Sequence, residues 1–286
     1  GSAFYAMIGI VSGAVINIIL DPLLIFTCRM GVAGAALATT VSQYLSFIFL
    51  LIMVTKGGNI RIRFSNFKPS LHFYQEIIRG GIPALFRQGL ASVATICLNH
   101  AASVYGDAAI AGMSIVSRIM MFANSALIGF GQGFQPVCGF NYGAGKYKRV
   151  LEGYWFCVKL SFVVLSGLAV IVYVIAPQLV TVFRKEDLEV IEVGTAALRY
   201  SVIAFPLSSW IIMCNMMLQS IGKGVKASIV SSARQGIFFL PLIAVLPHFF
   251  GLTGVEVCQA VADICALTLS IPIGMSVIRE MKEGDR

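Results

Sequence analysis

Apolar stretches long enough to cross a bilayer alternate with short polar breaks along the whole chain. Because about twenty residues of predominantly apolar helix cross a bilayer core of roughly 30 Å, each stretch predicts a transmembrane helix. The predicted helices lie near residues 3–26, 32–55, 77–104, 108–141, 150–176, 194–220, 227–247 and 254–278. The pattern therefore predicts an all-α, polytopic membrane protein with eight transmembrane helices.

Composition agrees with this pattern and narrows the possible functions. Of the 286 residues, 58% are hydrophobic and 12% are charged, whereas about a quarter of the residues in soluble domains are charged. The net charge of +8 comes from basic residues beside the apolar stretches, so we expect no nucleic-acid partner. The seven cysteines include no CxxC spacing, and the histidines form no catalytic constellation. We therefore predict a protein that is not an enzyme and that needs no cofactor or metal.

The distribution of basic residues predicts the orientation in the membrane. Most of the Lys and Arg residues outside the apolar stretches lie at 56–79, 146–149, 223–226 and 279–286. The intervening loops contain Arg29 and a mainly acidic segment near 184–192. Cytoplasmic loops carry an excess of Lys and Arg, so both termini are predicted to be cytoplasmic in a multi-pass plasma-membrane protein. We expect this membrane to be a bacterial cytoplasmic membrane.

Two segments of the chain resemble each other. Residues 10–23 recur at 229–242, and residues 31–34 correspond to 251–254. Six predicted helices separate equivalent positions, so both helix pairs run in the same direction. Such parallel repeats occur in transporters whose halves are related by an axis along the membrane normal. The sequence therefore predicts part of a bundle with two parallel six-helix lobes.

This repeat sets the expected domain organisation. Residues 1–55 would form the last two helices of an N-lobe, residues 56–76 a cytoplasmic linker, and residues 77–286 a complete C-lobe. The sequence starts inside an apolar stretch, so we expect four further N-lobe helices to be partners of this chain. On this interpretation, the chain alone is not expected to transport.

A glycine-rich segment ends the fourth predicted helix. Residues 129–145 resemble the P-x-x-G-x-N-x-G-A motif of the multidrug and toxic compound extrusion (MATE) transporters. The matching residues are Pro136, Gly139, Asn141 and Gly143. The segments 17–21, 31–36 and 81–83 also resemble that family, and every predicted helix has a counterpart in it. Because glycines let helices approach closely, we interpret this motif as structural.

The resemblance implies a secondary active exporter of twelve helices, whose two lobes expose a central cleft alternately to each side of the membrane. It further implies cation-coupled antiport, driven by H+ or Na+, of organic cations or amphipathic compounds, by a monomer. Sodium-driven members of the family carry an acidic residue in the first and in the fourth helix of this lobe. The predicted helices 77–104 and 194–220 contain no Asp or Glu, so a sodium site of that type is not expected here.

Polar residues recur at helical spacing within several apolar stretches. Four of them in the third predicted helix follow one another at intervals of four, three and four, and therefore share one helical face. These are Gln88, Ser92, Thr95 and Asn99. The candidates on other helices are Arg118, Asn215, Gln219, Arg234 and Asp263. We expect these faces to line a wet substrate cavity, and hydrogen bonding between helices without a ligand is the alternative for Ser and Thr.

Arg234 and Asp263 place opposite charges in the last two predicted helices. A charged side chain at the bilayer centre costs about 2.5 to 3.5 kcal/mol on insertion scales, so each of them needs a partner. We hypothesise that they form a buried ion pair that faces the cleft and is coupled to the conformational change. A purely structural ion pair is the alternative.

A lipid-linked saccharide flippase of the related superfamily is the alternative function. Flippases of that kind resemble this two-lobe bundle, but they need cations that face a pyrophosphate group. Arg87, Arg118 and Arg234 are candidates for such cations.

Overall fold

The structure is a computed structural model that describes residues 3–57, 70–184 and 187–284. Within these residues the chain forms helices and short connections, and no β-strand is present. The predicted all-α class is therefore confirmed. Contacts divide the chain into two units, with the boundary between Ser70 and Leu71.

The first unit contains a helical hairpin. Helix α1 (Ala3–Pro22) continues into a π-helical turn (Leu23–Thr27), and helix α2 (Gly31–Gly57) returns beside them. The Ser46 hydroxyl of α2 donates a hydrogen bond to the Gly9 carbonyl of α1 at 2.8 Å. This bond satisfies a polar side chain inside an apolar helix pair.

The second unit is a bundle of longer and interrupted helices. Its helices are α3 (Leu71–Ser103), α4 (Asp107–Gly143), α5 (Tyr147–Val174), α6 (Ala176–Phe183), α7 (Leu188–Ala204), α8 (Ser208–Ser220), α9 (Gly224–Ser232), α10 (Phe239–Phe250) and α11 (Leu252–Gly284). A 3₁₀ turn (Phe205–Leu207) joins α7 to α8, and a π-helical segment (Ala233–Phe238) joins α9 to α10. Each of these joined pairs forms one continuous span.

The helical spans agree with the predicted ones in number and order. In the part of the chain that the structure describes, eight helical runs are long and apolar enough to cross a membrane. They are Met7–Thr27, Gly31–Val54, Leu71–Ser103, Asp107–Gly143, Tyr147–Val174, Leu188–Ser220, Gly224–Phe250 and Leu252–Gly284. The polytopic architecture predicted from hydropathy is thus confirmed, although several spans begin earlier or end later than predicted.

Two spans begin before their predicted first residues. The third span begins at Leu71 rather than at residue 77, so residues 71–76 of the predicted linker are helical. Residues 58–69 of that linker lie outside the described part of the chain. The sixth span begins at Leu188 rather than at residue 194, because the Asp187 carboxylate accepts a hydrogen bond from the Val190 amide and caps the helix. Acidic residues favour a helix start, and hydropathy alone places them in a loop.

These earlier starts change one sequence argument. The third span now includes Glu76, and the sixth includes Glu189 and Glu192. The prediction that the corresponding helices contain no acidic residue is therefore wrong for the complete spans. All three side chains are exposed and lie within the first turns of their helices.

Helix α8 lies at the centre of the second unit. All of its residues from Ile211 to Leu218 are buried, and a helix that is buried on every side belongs inside a bundle. Met213, Met216 and Met217 are among the largest side chains of the unit that are fully buried. The polar side chain of Asn215 is consequently held in the interior, where it needs hydrogen-bond partners.

The two helical hairpins have similar backbone geometry at their turns. Gly31 is the first residue of α2 and Gly251 directly precedes α11, with φ of +55° and +60°, values that favour glycine. Three residues later, Gly34 packs against the backbone of Leu24, and Gly254 packs against the backbone of Leu246 and the residue after it. The shared geometry within each hairpin supports the predicted repeat.

The MATE-like motif lies in the last turns of α4. Pro136 is inside the helix, and the Asn141 amide donates a hydrogen bond to the Val137 carbonyl at 2.8 Å. None of the four motif residues lines the cavity described below. These contacts support the structural interpretation of the motif.

The glycines of this segment differ in how closely neighbours approach. A Cβ atom at Gly131 would lie 3.0 Å from the Met216 side chain, and one at Gly139 would lie 3.6 Å from the Ser220 carbonyl oxygen. At Gly143 no described atom lies within 4 Å of that position. The expectation of close helix contact is therefore wrong at Gly143, and no described atom lies near the corresponding position at Gly129 or Gly133 either.

The hairpin geometry predicts that Gly254→Ala destabilises the protein. The added Cβ would overlap the Leu246 carbonyl and lie 2.8 Å from the Pro247 nitrogen, and such overpacking costs about 1–3 kcal/mol. Gly167→Ala is the matched control, because Gly167 lies within α5 with no described atom near the new Cβ. The control is expected to be neutral or to stabilise by about 0.5–1 kcal/mol. Thermal unfolding of the purified protein in detergent measures both, and equal melting temperatures would contradict the prediction.

Candidate functional site

The second unit contains a cavity of about 590 Å³. Its volume lies within the range of about 300–1,000 Å³ that is typical of small-molecule sites. The wall comes from α3 and α4, from the centre of α8, and from the π-helical segment and its neighbours. Apolar side chains such as Met113, Met120 and Phe239 alternate with polar ones along this wall.

Most of the predicted site residues lie on this cavity. Those that line it are Gln88, Thr95, Asn99, Arg118, Asn215 and Arg234. Those that do not are Ser92, Gln219 and Asp263. The polar periodicity therefore identified the correct helices, and its errors concern which side chains reach the cavity.

The cavity-facing side of α3 is rotated from the predicted polar stripe. Ala91 and Leu98 line the cavity together with Gln88, Thr95 and Asn99, so the centre of this face lies on one side of the stripe. Ser92 lies on the other side, where its hydroxyl donates a hydrogen bond to the Gln88 carbonyl at 3.2 Å. The prediction of Ser92 as a cavity residue is thus wrong, because the cavity-lining face of α3 is rotated away from Ser92.

The predicted ion pair between Arg234 and Asp263 is present. Arg234 binds the Asp263 carboxylate through two nitrogens, with Nε–Oδ1 at 2.7 Å and Nη2–Oδ2 at 3.2 Å. The third nitrogen, Nη1, donates to the Asn124 side-chain oxygen at 3.1 Å. The Gln259 amide donates to Asp263 Oδ1 at 2.8 Å. We call these four residues the Arg234–Asp263 network.

Asp263 lies behind Arg234 and is shielded from the cavity. The Asp263 side chain is 1% exposed, and the Arg234 side chain is 13% exposed. Arg234, Asn124 and Gln259 line the cavity, whereas Asp263 does not. The prediction that Asp263 lines the cavity is therefore wrong, because its carboxylate is covered by the groups that donate hydrogen bonds to it.

The π-helical segment brings Arg234 to this position. A π turn interrupts the regular helix and is frequent at functional sites. Gly236 in the same segment packs against Leu90 of α3, since a Cβ atom at Gly236 would lie 2.7 Å from the Leu90 side chain. The segment therefore packs closely against α3 beside the cavity.

Asn215 and Gln219 form a second network. The Asn215 amide donates to the Ala227 carbonyl and to the Ser231 hydroxyl, both at 2.7 Å. Gln219 donates to the Asn215 side-chain oxygen at 2.6 Å, and Gln135 donates to Gln219 at 3.3 Å. Gln219 thus orients Asn215 rather than lining the cavity, which corrects its predicted place.

Two further arginines line the cavity and differ from Arg234 in their partners. Arg118 is exposed to the cavity, and no hydrogen bond or ion pair of its guanidinium is found within the described residues. Arg87 Nη1 is buried and has no hydrogen-bond partner there. Arg87, Arg118 and Arg234 are the charged residues that line the cavity, and no described Asp or Glu does so.

Sequence reasoning missed Asn124 as a member of the site. Asn124 lies seven residues after Ser117, and both side chains line the cavity, so helical spacing was a usable signal. Gln259 precedes Asp263 by one turn of α11 and also lines the cavity, but it was not among the predicted site residues. No cluster of three or more potential metal ligands occurs among the described residues.

The Arg234–Asp263 network predicts a strong dependence of stability on both partners. Arg234→Gln leaves a buried carboxylate without its cation, and breaking a buried pair costs about 3–5 kcal/mol. The double change Arg234→Gln with Asp263→Asn removes both charges and is expected to recover most of the loss. The control is Arg199→Gln, because Arg199 lies outside the cavity and contacts the Tyr173 carbonyl at 3.4 Å. A thermal double-mutant cycle measures the coupling, and additive effects of the single changes would contradict a specific pair.

Comparisons with known proteins agree with this architecture. The MatE family profile matches residues 83–245. The multidrug export protein MepA of Staphylococcus haemolyticus strain JCSC1435 is 30% identical over 268 residues, which cover 93% of this chain and 59% of that protein. The chain thus spans less than two thirds of the length of this relative.

Solved structures of transporters have the same fold. A multidrug resistance MATE family transporter of the MOP superfamily, in an outward-facing conformation, matches with a TM-score of 0.89 and 26% identity, covering 97% of this chain and 63% of that one. A MOP superfamily transporter from Pyrococcus furiosus, for which reverse polarity of the binding pocket suggests a different function, matches with a TM-score of 0.88 and 26% identity, covering 96% and 63%. The chain belongs to the MATE family of multi-pass membrane transporters.

Proposed function

We propose that the protein is a secondary active multidrug exporter that carries amphipathic organic compounds, organic cations among them. The observation that carries this proposal is the cavity of about 590 Å³ within a membrane-spanning bundle. Its wall joins apolar side chains to a few polar groups, as sites for varied small molecules do. The similarity to a multidrug export protein supports the same function.

Alternating access to the cavity is the proposed mechanism, with antiport of H+ or Na+ as the source of energy. Two spans of the second unit are interrupted, one by the 3₁₀ turn Phe205–Leu207 and one by the π-helical segment Ala233–Phe238. The π-helical segment carries Arg234 on the cavity wall. Such interruptions supply positions at which a helix can change direction. These two connections are therefore the proposed hinges of the second unit.

The Arg234–Asp263 network is the proposed coupling element. Protonation of Asp263 would remove one charge of the pair and leave Arg234 as an uncompensated cation beside the cavity. An uncompensated charge within the bilayer is unfavourable, so Arg234 would then favour a conformation that hydrates it. This step converts a change in protonation into a change in conformation.

The topology belongs to the same proposal. We place both termini in the cytoplasm, with the protein in the plasma membrane and acting as a monomer, because the basic loops alternate along the chain as the positive-inside rule requires. Fusions of a cytoplasm-active and a periplasm-active reporter to Arg286 distinguish the two orientations.

The proposed coupling predicts that Asp263→Asn strongly reduces export. Cells that express this chain together with the four further N-lobe helices expected as its partners should retain less of a fluorescent amphipathic dye than control cells, and a pH or Na+ gradient imposed alone should drive its export. Asp263→Asn is expected to reduce this export about tenfold or more, because it removes charge-assisted hydrogen bonds.

Asp187→Asn is the matched control, since Asp187 caps α7 outside the cavity and Asn is an equally good cap. Export that survives Asp263→Asn unchanged would exclude the coupling role. Dye retention that expression of the protein does not change would contradict the exporter proposal itself.

A lipid-linked saccharide flippase is the second candidate function. The observation in its favour is that the three arginines at positions 87, 118 and 234 line one cavity, where they can face a pyrophosphate group. Translocation of a lipid-linked pyrophosphate saccharide in vesicles, without export of the dye, would favour this function over the exporter.

A further inference from the structure

The charges that line the cavity are all positive. Arg87, Arg118 and Arg234 contribute guanidinium groups, and no carboxylate among the described residues reaches the same surface. A guanidinium group carries five N–H donors and no acceptor, so these side chains offer only positive charge and hydrogen-bond donors to a ligand. The cavity therefore favours a substrate with negative charge over one with positive charge alone.

Arg234 contributes less to this preference for negative charge than Arg87 and Arg118 do. Its guanidinium is already bound on both sides by Asp263 and Asn124, so its charge is compensated within the protein. Arg87 and Arg118 are different, because no described carboxylate pairs with either of them. Within the described part of the chain, Arg87 and Arg118 are thus two cavity-lining cations without a carboxylate partner.

The position of Arg87 makes this lack of compensation unfavourable. Arg87 lies near the middle of the span Leu71–Ser103, and its buried Nη1 has no hydrogen-bond partner within the described residues. Unpaired buried donors are disfavoured, and more so when they are charged. A bound anion would supply the missing acceptor, and charge-assisted hydrogen bonds from Arg to such groups are among the strongest in proteins.

We propose that Arg87 and Arg118 form a subsite for the anionic group of an amphipathic substrate. A carboxylate, a sulfonate or a phosphate would serve, since each presents oxygen acceptors to a guanidinium. The apolar part of the same molecule would pack on Met113, Met120 and Phe239. This inference rests on the proposed export function and narrows its substrate class to molecules that carry an acidic group, whether or not they also carry a cation.

A pair of dyes that differ in one group tests the subsite. One probe is a rhodamine with a free carboxylate, and the other is the methyl ester of the same dye, so the aromatic body and its cation are identical. Binding to the purified protein is measured by fluorescence anisotropy in nanodiscs of zwitterionic lipid. The free acid is expected to bind about tenfold more tightly than the ester, as one charge-assisted hydrogen bond would provide.

Substitution of Arg87 and Arg118 tests whether these two arginines cause the preference for the free acid. Arg87→Gln and Arg118→Gln are each expected to reduce the preference for the acid, and together to abolish it, while affinity for the ester stays within about twofold. Retained binding of the ester shows that the cavity is folded. Arg199→Gln is the matched control, because Arg199 lies outside the cavity over the Tyr173 ring, and it should leave the preference intact.

Several outcomes would overturn the subsite. Equal affinity for acid and ester, tighter binding of the ester, or a preference that survives the double variant would each do so. Addition of phosphatidylglycerol to the nanodiscs distinguishes a lipid headgroup from a transported anion. If that lipid displaces the acid from the wild-type protein, the site takes a headgroup and its assignment to an exported substrate is overturned.

The transport assay keeps this inference separate from the proposed function. Gradient-driven export of the ester without any preference for the acid would leave the exporter intact and refute the subsite. Preferential binding of the acid without export of either dye would support the subsite and refute the exporter.

Discussion

The ion pair between Arg234 and Asp263 is the interaction on which the candidate site depends. It links the π-helical segment to α11, and through Asn124 it reaches α4. Both charges lie within spans of an apolar bundle, where water does not compensate them and where each therefore constrains the position of the other. The Arg234–Asp263 network therefore adds directional contacts to the apolar packing of these helices, as the Asn215 network does between α8 and α9.

The apolar surroundings also explain why the π-helical segment lies beside the cavity. Backbone groups that an interrupted helix leaves unpaired are tolerated in a membrane only inside the protein or against a wet cavity. The segment Ala233–Phe238 meets this condition because it packs on α3 and carries Arg234 into the cavity wall. The site thus joins its buried ion pair to an irregular backbone segment.

Sequence patterns predicted the spans better than their ends, and the polar faces better than individual side chains. Hydropathy is averaged over about twenty residues, so it locates a span but not its first residue. It therefore missed the Asp187 cap, with which the sixth span begins at Leu188 rather than at residue 194. Periodicity identified the polar face of α3 but not its rotation, because the cavity-lining face also includes the apolar residues Ala91 and Leu98, which a search for polar residues does not find. The pair of Arg234 and Asp263 could be predicted because two opposite charges in adjacent apolar helices have few other partners. Asn124 was missed because a single amide gives no comparable signal.

Because Asp263 does not reach the cavity surface, the proposed coupling group and the substrate do not compete for the same position. A carboxylate on the wall would attract any organic cation directly, and its protonation would then compete with the substrate. Here Arg234 lies between the carboxylate and the cavity. A substrate would therefore contact the Arg234 guanidinium, whose positive charge is compensated by Asp263. Loss of the Asp263 charge would raise the positive charge that the cavity presents, which strengthens the attraction of an anionic group at the moment when the network rearranges. On the proposed coupling, the charge of Asp263 would therefore affect both the conformation of the protein and the binding of substrate, and both effects would act through the guanidinium of Arg234.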